Sequence, residues 1–367
     1  MTAIGRPSPL GFGAARDESR EEACRALVHF LQTRRSAWTG GHGEMRRSLL
    51  IADYARRSRG LPGEQRAEFD RQVVESFLPY GSSGQPQSVP RVRKANDVVD
   101  VAVLTVLREE LDAALQAFGL GDRPYETAGQ QRFYRAQVPT HNRTEPLSVI
   151  ITAAGEPLNV HINRSLDVLL QRYTPRAVFL LGIAAGIPEK VGLGDVVVSR
   201  RVFYYEPARL AEGSVAEPRP QHEKSADAYG SGIFHYDPER TDYREKVAQF
   251  LRELTPDQLP EGIARDHCPR VFTDNVTIAA GEAVMRDGRF LPDLRQRFDN
   301  TILAADQESY GFARTAQGLP WLIFRGISDY GDAEQHERWK QVAPAFAALC
   351  LEDFLSTQYL PPGIGDF

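Results

Sequence analysis

Hydrophobic residues fall into two alternating patterns from about residue 98 onward. Short runs such as VVDVAVLTV, LSVIIT, RAVFLLG and WLIFRGIS have little or no polar alternation, which indicates strands buried on both faces. Segments with apolar residues at helical spacing lie between them, as in REELDAALQAFG and in the stretch from Asn159 to Tyr173. Strands that alternate with helices predict an α/β domain with a central, mostly parallel sheet.

The same patterns predict the remaining elements of this domain. Residues 207–237 are rich in Pro, Gly, His and charge, and they are expected to form a long loop over the sheet. Further strands are predicted at 131–138, 194–205, 270–278 and 301–305, and further helices at 243–254, 307–317 and 339–355.

The first 80 residues have a different pattern. Amphipathic helices are predicted at 17–35, 44–58 and 64–78, separated by glycines and a proline. Residues 81–97, GSSGQPQSVPRVRKAND, have no periodicity and are typical of a linker. The predicted organisation is a helical, adapter-like module at 1–80, a linker at 81–97 and a larger domain at 98–358.

Composition narrows the functional classes. The chain has 367 residues, 42% hydrophobic and 25% charged, with a net charge of -5, which describes an ordinary soluble protein. This charge does not favour nucleic acid as a partner, and no apolar run is long enough to span a membrane. A secretory leader pattern is absent and the three cysteines are scattered, so a cytoplasmic location is expected. The histidines and cysteines lack ligand spacing, and neither a metal nor a cofactor is predicted.

Four carboxylates stand where a sheet of this kind binds ligands. Glu308 and Asp329 fall close to the ends of buried strands, and Glu109 and Glu110 begin the helix after the first strand. Ligands in open α/β sheets lie beyond the carboxyl ends of the strands, so these acids are candidates for a common crevice. Acids at such positions also complement a helix dipole or cap a helix, and the pattern alone leaves both interpretations open.

The sequence LLGIAAGI, around Gly182 and Gly186, runs from a strand into a turn of small residues. Backbone amides in such a turn approach a sugar or phosphate closely, although tight packing explains the glycines equally well. The turn lacks a dinucleotide fingerprint, and the chain has neither a P-loop lysine motif nor a G-x-S-x-G nucleophile elbow.

Taken in order, these motifs resemble those of a known family. LTVLREEL, LLGIAAGI, VGLGDVVVS, TIAAGEAVM, AADQESYGFA and FRGISDYGD resemble the nucleoside phosphorylase superfamily, most closely its methylthioadenosine and adenosylhomocysteine nucleosidases. The resemblance extends from about Val98 to about Leu355. It implies a three-layer α/β/α sandwich with a mixed central sheet, here preceded by a small all-helical domain.

The resemblance also implies roles for particular residues. Asp329 would protonate or hydrogen-bond N7 of the departing purine, and Glu308 would bind the ribose hydroxyls. Glu110, or Glu109 if the motif is aligned one residue off, would position the attacking water. The other substrate-binding positions that it implies are Ser328 beside the purine, Gly182, Ala184 and Gly186 under the ribose, and Val284 against the base.

Three features of the sequence, one motif and two single residues, depart from the family pattern. LREEL replaces the Gly and Arg phosphate motif of the phosphorylases, and its acids would repel phosphate, so hydrolysis is expected. Gln307 takes the place of the usual methionine in the ribose motif, and Trp339 that of the aromatic residue that closes the 5' side. Two alternatives stay open, a phosphate-dependent purine nucleoside phosphorylase and a catalytically silent nucleoside-binding or scaffold protein.

The end of the chain and its helical module resemble nucleosidase domains fused to adapter modules in immune-type effectors. Some of that group cleave ATP or related nucleotides, so the expected substrate is an adenine nucleoside or nucleotide. The resemblance also implies a homo-oligomer, either a dimer or a hexamer, and a protein partner for the module. The basic residues that could meet a 5'-phosphate chain, or simply lie on the surface, are Arg108, Arg164, Arg200, Arg201 and Lys224.

Overall fold

A computed structural model describes residues 97–121, 125–141, 144–209, 217–225, 230–332, 334 and 336–357. The predicted helical module, and the predicted linker up to residue 96, lie outside the described residues. Within the described part, no helix is long and apolar enough to cross a membrane.

The described chain alternates strands and helices. The strands are β1 Asp97–Thr105, β2 Glu126–Ala128, β3 Gln131–Val138, β4 Leu147–Ala153, β5 Tyr173–Gly186, β6 Val196–Ser199, β7 Arg201–Tyr204, β8 Ala208–Arg209, β9 Glu217–Pro218, β10 Gln221–Lys224, β11 Val271–Phe272, β12 Thr277–Ala280, β13 Ile302–Asp306 and β14 Trp321–Asp329. The α-helices are α1 Arg108–Ala117, α2 Asn159–Arg172, α3 Gly230–His235, α4 Tyr243–Glu253, α5 Phe290–Arg297, α6 Ser309–Thr315 and α7 Trp339–Thr357, and a 3-10 turn covers Pro238–Arg240.

Twelve of the described strands form one large mixed sheet, whose main order is β10-β7-β12-β13-β5-β1-β4-β3-β2, and β8 and β9 pair with each other in a separate two-stranded sheet. The central strand β5 also pairs with β14, which in turn pairs with β6, so the sheet branches instead of ending in a simple edge. At the centre, β1 pairs in parallel with β4 and β5, and β14 pairs in parallel with β5, whereas the pairs β3–β4, β6–β14 and β13–β5 are antiparallel. A strand order with both kinds of pairing confirms the mixed sheet.

Helices cover both faces of this sheet. Helices α1, α4 and α7 contribute to one hydrophobic cluster with the sheet, and α2 and α6 contribute to a second. Contact with α7 is close enough that a Cβ atom on Gly326 of β14 would lie 2.1 Å from the carbonyl oxygen of Ala343. The three-layer α/β/α arrangement predicted from the sequence is therefore confirmed for this domain.

Three predicted elements were wrong in their extent. The strand predicted at 270–278 is two strands, because polar residues and Asn275, at φ +53°, interrupt it. Its first half, β11, pairs with β6, and its second half, β12, pairs with β13 and β7. The strand predicted at 194–205 is likewise divided into β6 and β7, which have different partners. The loop predicted at 207–237 contains β8, β9, β10 and α3.

Candidate active site

A cavity of about 250 Å³ opens at the carboxyl ends of the central strands. Seven residues predicted from the sequence line it, which are Glu110, Ala184, Val284, Gln307, Glu308, Ser328 and Asp329. The remaining lining comes from Val106, Leu107, Pro157, Ile183, Ala185, Ala283, Met285, Ala305 and Asp306. Four of the lining side chains are carboxylic acids, and none of these described lining residues is a lysine, an arginine or a histidine.

Glu110 caps its own helix and also reaches the neighbouring strand. Its Oε2 accepts hydrogen bonds from the backbone N–H groups of Val106 at 2.8 Å and Leu107 at 2.9 Å. Its Oε1 accepts from the N–H of Ile183, on β5, at 2.9 Å. The carboxylate of Glu110, which is only 2% exposed, therefore both caps the helix and lines the cavity.

Beneath the cavity, a fully buried Arg325 binds three carboxylates. Its Nε lies 2.8 Å from Asp306 Oδ2, its Nη2 lies 3.4 Å from Glu308 Oε2, and its Nη1 lies 3.8 Å from Glu110 Oε1. Asp306 also accepts from the N–H of Ser309 at 2.9 Å, which fixes the start of α6. We refer to Arg325, Glu110, Asp306 and Glu308 as the Arg325 cluster.

The charges of this cluster do not balance, because one guanidinium faces three carboxyl groups. Burial raises the pKa of Glu308 to about 7; the Arg325 charge lowers it, while Asp306 and Glu110 raise it further. Burial also raises the pKa of Glu110, against the opposing effects of Arg325 and three backbone amides. Burial disfavours the charge on Arg325, but the carboxylates outweigh it and raise the pKa of Arg325. The cluster therefore holds a fixed cation and at least one carboxyl that titrates near neutral pH.

Asp329 is held at a β-bulge at the end of β14. Ile327 pairs with Ala184 of β5, and Asp329 pairs with the next residue, Ala185, so Ser328 is the extra residue of the bulge. The hydroxyl of Ser328 donates to Asp329 Oδ2 at 2.8 Å, and the N–H of Gly331 donates to Oδ1 at 2.8 Å. These two bonds aim the carboxyl while leaving it in the cavity lining.

The other four residues predicted for the site do not line the cavity. Glu109 is exposed on the outer side of α1, so of the two adjacent acids only Glu110 faces the cavity. Gly182 and Gly186 lie behind the lining, against the Arg325 cluster and against Val191 and Ile327, respectively. Trp339 packs on Gly194 and near the ring of His267. Closure of the 5' side by Trp339 and a ribose floor made by the two glycines are thus not supported by this geometry.

The basic residues suggested for a phosphate chain are likewise absent from the lining, as are the other basic residues that the structure describes. Arg108 is largely exposed and forms an ion pair with Asp112, Nε to Oδ2, at 2.9 Å. Arg201 donates to the side chain of Asn275 at 2.6 Å. Contact between these residues and a 5'-phosphate stays a prediction.

Sequence reasoning missed Arg325 and Asp306 as members of the site. A signal for Arg325 was present, because it is the only charged residue within the apolar run WLIFRGIS. A charge in a strand buried on both faces requires opposite charges nearby, so it marks a buried ionic site. Nothing local distinguished Asp306 from an ordinary residue that caps the following helix.

We expect Gly182→Ala to reduce activity strongly. A Cβ atom at residue 182 would lie 2.2 Å from both Arg325 Nη1 and Glu110 Oε1, so it would force the two groups apart. Gly192→Ala is the matched control, because its added Cβ would have no neighbour closer than 3.4 Å. Turnover and thermal unfolding of both variants check this, and full activity of the Gly182 variant would contradict the packing described here.

Comparison with known families gives a match over most of the described chain. Residues 100–356 match the phosphorylase superfamily. Among solved structures, the 5'-methylthioadenosine/S-adenosylhomocysteine nucleosidase from Streptococcus pneumoniae superposes with a TM-score of 0.50 at 17% identity, covering 70% of this chain and 98% of that one. At this level of identity, the superposition supports the fold.

Two relatives with assigned activities are similar to this chain in sequence. ATP nucleosidase Cap17 of Escherichia coli strain KTE188 is 30% identical over 263 residues, which are 70% of this chain and 50% of that protein. This chain therefore spans about half the length of that relative. The 5'-methylthioadenosine/S-adenosylhomocysteine nucleosidase of Actinobacillus succinogenes is 25% identical over 187 residues, which are 50% of this chain and 70% of that protein.

Proposed function

The chain belongs to the phosphorylase superfamily, and from this membership we propose that it hydrolyses the N-glycosidic bond of an adenine nucleoside or nucleotide to release adenine. The observation that carries the proposal is the arrangement of carboxyl groups around one cavity, with Asp329 at the end of β14 and the Arg325 cluster formed by residues of β14, α1, β13 and the turn before α6. Such an arrangement provides an acid for a leaving base and anions for a cationic sugar.

Hydrolysis is favoured over phosphorolysis by the charge of the lining. A phosphate nucleophile requires cationic or amide donors, but the three backbone amides of Val106, Leu107 and Ile183 are already bonded to Glu110. Arg325 is engaged by carboxylates that outnumber it. A phosphate dianion in this cavity would be repelled, whereas a neutral water molecule would not.

Departure of the base requires a proton or a strong hydrogen bond on the purine. In the proposed reaction, Asp329 supplies it at N7, because its carboxyl is aimed into the cavity and an adenine anion is a poor leaving group. Ser328 holds one oxygen of that carboxyl. Val284 and Met285, on the loop after β12, provide apolar surface for the base.

The sugar and the nucleophile are assigned to the carboxylates of the Arg325 cluster. Ionised Glu308 accepts hydrogen bonds from the ribose hydroxyls and stabilises the oxocarbenium-like transition state. Glu110 Oε1 lies 3.8 Å from Arg325 Nη1, a donor that has no hydrogen-bond partner among the described residues. Glu110 itself lines the cavity, and in the proposed reaction its carboxylate orients the water molecule that attacks the anomeric carbon and accepts its proton.

A nucleotide substrate is proposed ahead of a thioether nucleoside. The support is the relative named an ATP nucleosidase, which is 30% identical, whereas the thioether nucleosidase from Actinobacillus succinogenes is 25% identical. Among the residues that the structure describes, those lining the cavity include no large aromatic residue to close the 5' side on a small thioether, and Trp339 packs on Gly194. A 5'-phosphate chain would then extend out of the acidic cavity toward solvent.

Chromatographic detection of free adenine tests this proposal. The full chain is incubated without phosphate with ATP, AMP, adenosine, methylthioadenosine or adenosylhomocysteine in separate reactions. Adenine from ATP or AMP is the expected result, and adenine only from the thioether nucleosides would overturn the preference for nucleotides. Ribose 1-phosphate formed in a phosphate-dependent reaction would instead establish a phosphorylase. Nucleoside binding without release from any substrate would indicate a binding protein.

Activity is expected to rise as the pH increases through about 7. The pKa of Glu308 is raised from 4.5 to about 7, mainly by burial, and the proposed reaction needs its ionised form. Because the folded-state pKa is raised, the protonated form stabilises the fold at low pH, and this stabilisation, about 3 kcal/mol, is lost as the pH rises from about 4.5 to above 7.

Urea unfolding of the wild type and of Glu308→Gln, measured over this pH range, isolates the contribution of Glu308 to the free energy of unfolding. The variant should gain stability relative to the wild type as the pH rises, because its amide needs no proton. Glu109→Gln, which changes an exposed acid of the neighbouring helix, serves as the control and should show no such trend. A constant stability difference between wild type and Glu308→Gln would contradict the raised pKa.

The location, oligomeric state and biological role of the protein are also proposals. We infer a cytoplasmic homo-oligomer that depletes adenine nucleotides in antiviral defence, with residues 1–80 acting as an adapter for a protein partner. The support is the resemblance of the chain to fused effector nucleosidases together with the scattered cysteines. Loss of cellular ATP on expression of the wild type, but not of Asp329→Asn, would agree with this setting. Unchanged ATP in an infected or activated host would contradict it.

A further inference from the structure

Outside the cavity, a buried carboxylate organises the turn at residues 192–195, which we call the Asp195 turn. Asp195 is 4% exposed. Its carboxylate accepts from the N–H of Gly192 at 2.7 Å and from the N–H of Arg270 at 3.0 Å. The guanidinium of Arg270 adds bonds to Oδ2 from Nε at 3.0 Å and Nη2 at 2.6 Å. The carboxylate thereby joins two segments that are distant in sequence.

The backbone of the same turn holds the strand that carries the candidate acid. The N–H of Ile327 donates to the carbonyl of Asp195 at 2.8 Å, and the N–H of Gly194 donates to the carbonyl of Ile327 at 2.8 Å. Ile327 is the last residue before the bulge at Ser328, where the register with β5 shifts. The bulge that carries Ser328 and Asp329 therefore begins at a residue that the Asp195 turn holds on one side, while β5 pairs with the strand on the other.

A glycine and an aromatic ring shape the backbone of the turn. Gly194 has φ +84°, a conformation that favours glycine, and a Cβ atom there would lie 2.4 Å from Cζ3 of Trp339. The indole of Trp339 thus covers the turn. Arg270, in contrast, has a side chain that is 62% exposed, so its charge is hydrated when the carboxylate is removed. A neutral residue at 195 consequently leaves no stranded buried charge.

We propose that Asp195 is a positioning residue for Asp329, acting through the backbone of Ile327. The proposal rests on the proposed function, because it concerns the acid of that reaction. Proton donation to a leaving group requires heavy atoms about 2.6 to 3.2 Å apart, and a displacement of about 1 Å costs a factor of about 100. Asparagine at residue 195 has one acceptor oxygen in place of two, so at least one of the four bonds is lost, the turn and Ile327 can shift, and the carboxyl of Asp329 would move with them.

A double-mutant cycle on kcat for adenine release tests the role. We expect Asp195→Asn to lower kcat about 10-fold, with KM changed less than 2-fold. In the Asp329→Asn background, the same substitution should have no further effect, because the acid that it positions is already gone. The matched control is Asp100→Asn, a buried aspartate of β1 that accepts from the N–H of Ser148 at 2.9 Å and does not line the cavity. Its effect should be equal in both backgrounds.

Arg270→Gln provides a second variant, since it removes two of the four bonds at a mostly exposed side chain. It should lower kcat in the same direction by about 2- to 5-fold, again only when Asp329 is present. An equal loss with and without Asp329, or a change confined to KM or to the melting temperature, would overturn the positioning role. If the wild type releases adenine but Asp195 and Asp329 show no coupling in the cycle, only the positioning role is overturned. If the wild type releases adenine from none of the substrates, the proposed function is overturned as well.

Discussion

Asp329→Asn should lower kcat for adenine release by a factor of about 10² to 10⁴. The amide keeps the size of the side chain and can still accept from the N–H of Gly331, which now donates to Asp329 Oδ1 at 2.8 Å. It cannot supply a proton to the purine, so the base would have to leave as an anion. KM should change little, because the proposed reaction assigns ribose binding to Glu308 and not to Asp329.

Steady-state kinetics with the best substrate of the nucleotide panel measures this loss. Asp332→Asn is the matched control, since Asp332 follows in the same loop, does not line the cavity, and should retain wild-type turnover. Thermal unfolding of both variants verifies that each is folded. Undiminished adenine release by Asp329→Asn would remove this residue from the mechanism and leave the acid to be sought elsewhere in the lining.

Arg325→Met should abolish activity and destabilise the domain by about 3 to 5 kcal/mol. Methionine fits an apolar strand, but it leaves Asp306, Glu308 and Glu110 without the guanidinium that lies within 2.8, 3.4 and 3.8 Å of them, respectively. Three buried carboxyls would then repel one another. The pKa values of Glu110 and Glu308, which Arg325 now lowers, should rise further, so the loss of stability should be larger at pH 8 than at pH 5.

Urea unfolding at the two pH values checks both parts of this prediction. Arg314→Met is a suitable control, because that side chain is 25% exposed and pairs with a single carboxylate, Glu223, at 2.9 Å. It should cost about 1 kcal/mol or less and show little pH dependence. Equal destabilisation by Arg325→Met at pH 5 and pH 8 would show that the arginine contributes packing but not charge compensation.

The two predictions distinguish the residue proposed to act on the base from the residue that holds the sugar side together. Loss of Asp329 should act on the departure of the base and leave the fold intact, whereas loss of Arg325 should act on both the fold and the sugar side. This difference follows from burial, because Asp329 lies at a strand end beside the cavity and Arg325 is 0% exposed inside the sheet. Site residues at the end of an element can be changed with small structural cost, and residues within the sheet cannot.

Much of the fold was predictable from local pattern. Apolar runs without alternation predicted β1, β4, β5 and β14, and helical spacing predicted α1, α2, α4 and α7. Both patterns depend on residues that are close in sequence, because a strand buried on two faces is apolar throughout and a helix buried along one stripe is apolar at regular spacing. The divided strand at 270–278 was not predictable in the same way. Polar residues and Asn275 interrupt it, but neighbouring residues do not specify that its two halves pair with different strands.

By itself, the sequence determined that acids stand near the ends of the buried strands and which family these motifs resemble, since both depend on residues close together in the chain. Only the tertiary structure decided that Glu110, and not Glu109, faces the cavity, and that Trp339 packs on Gly194. It also decided that Arg325 joins Glu110, Asp306 and Glu308. Periodicity specifies which face of an element is buried, but it does not specify which distant charge that face meets, and the free energy of a buried charge depends on that partner.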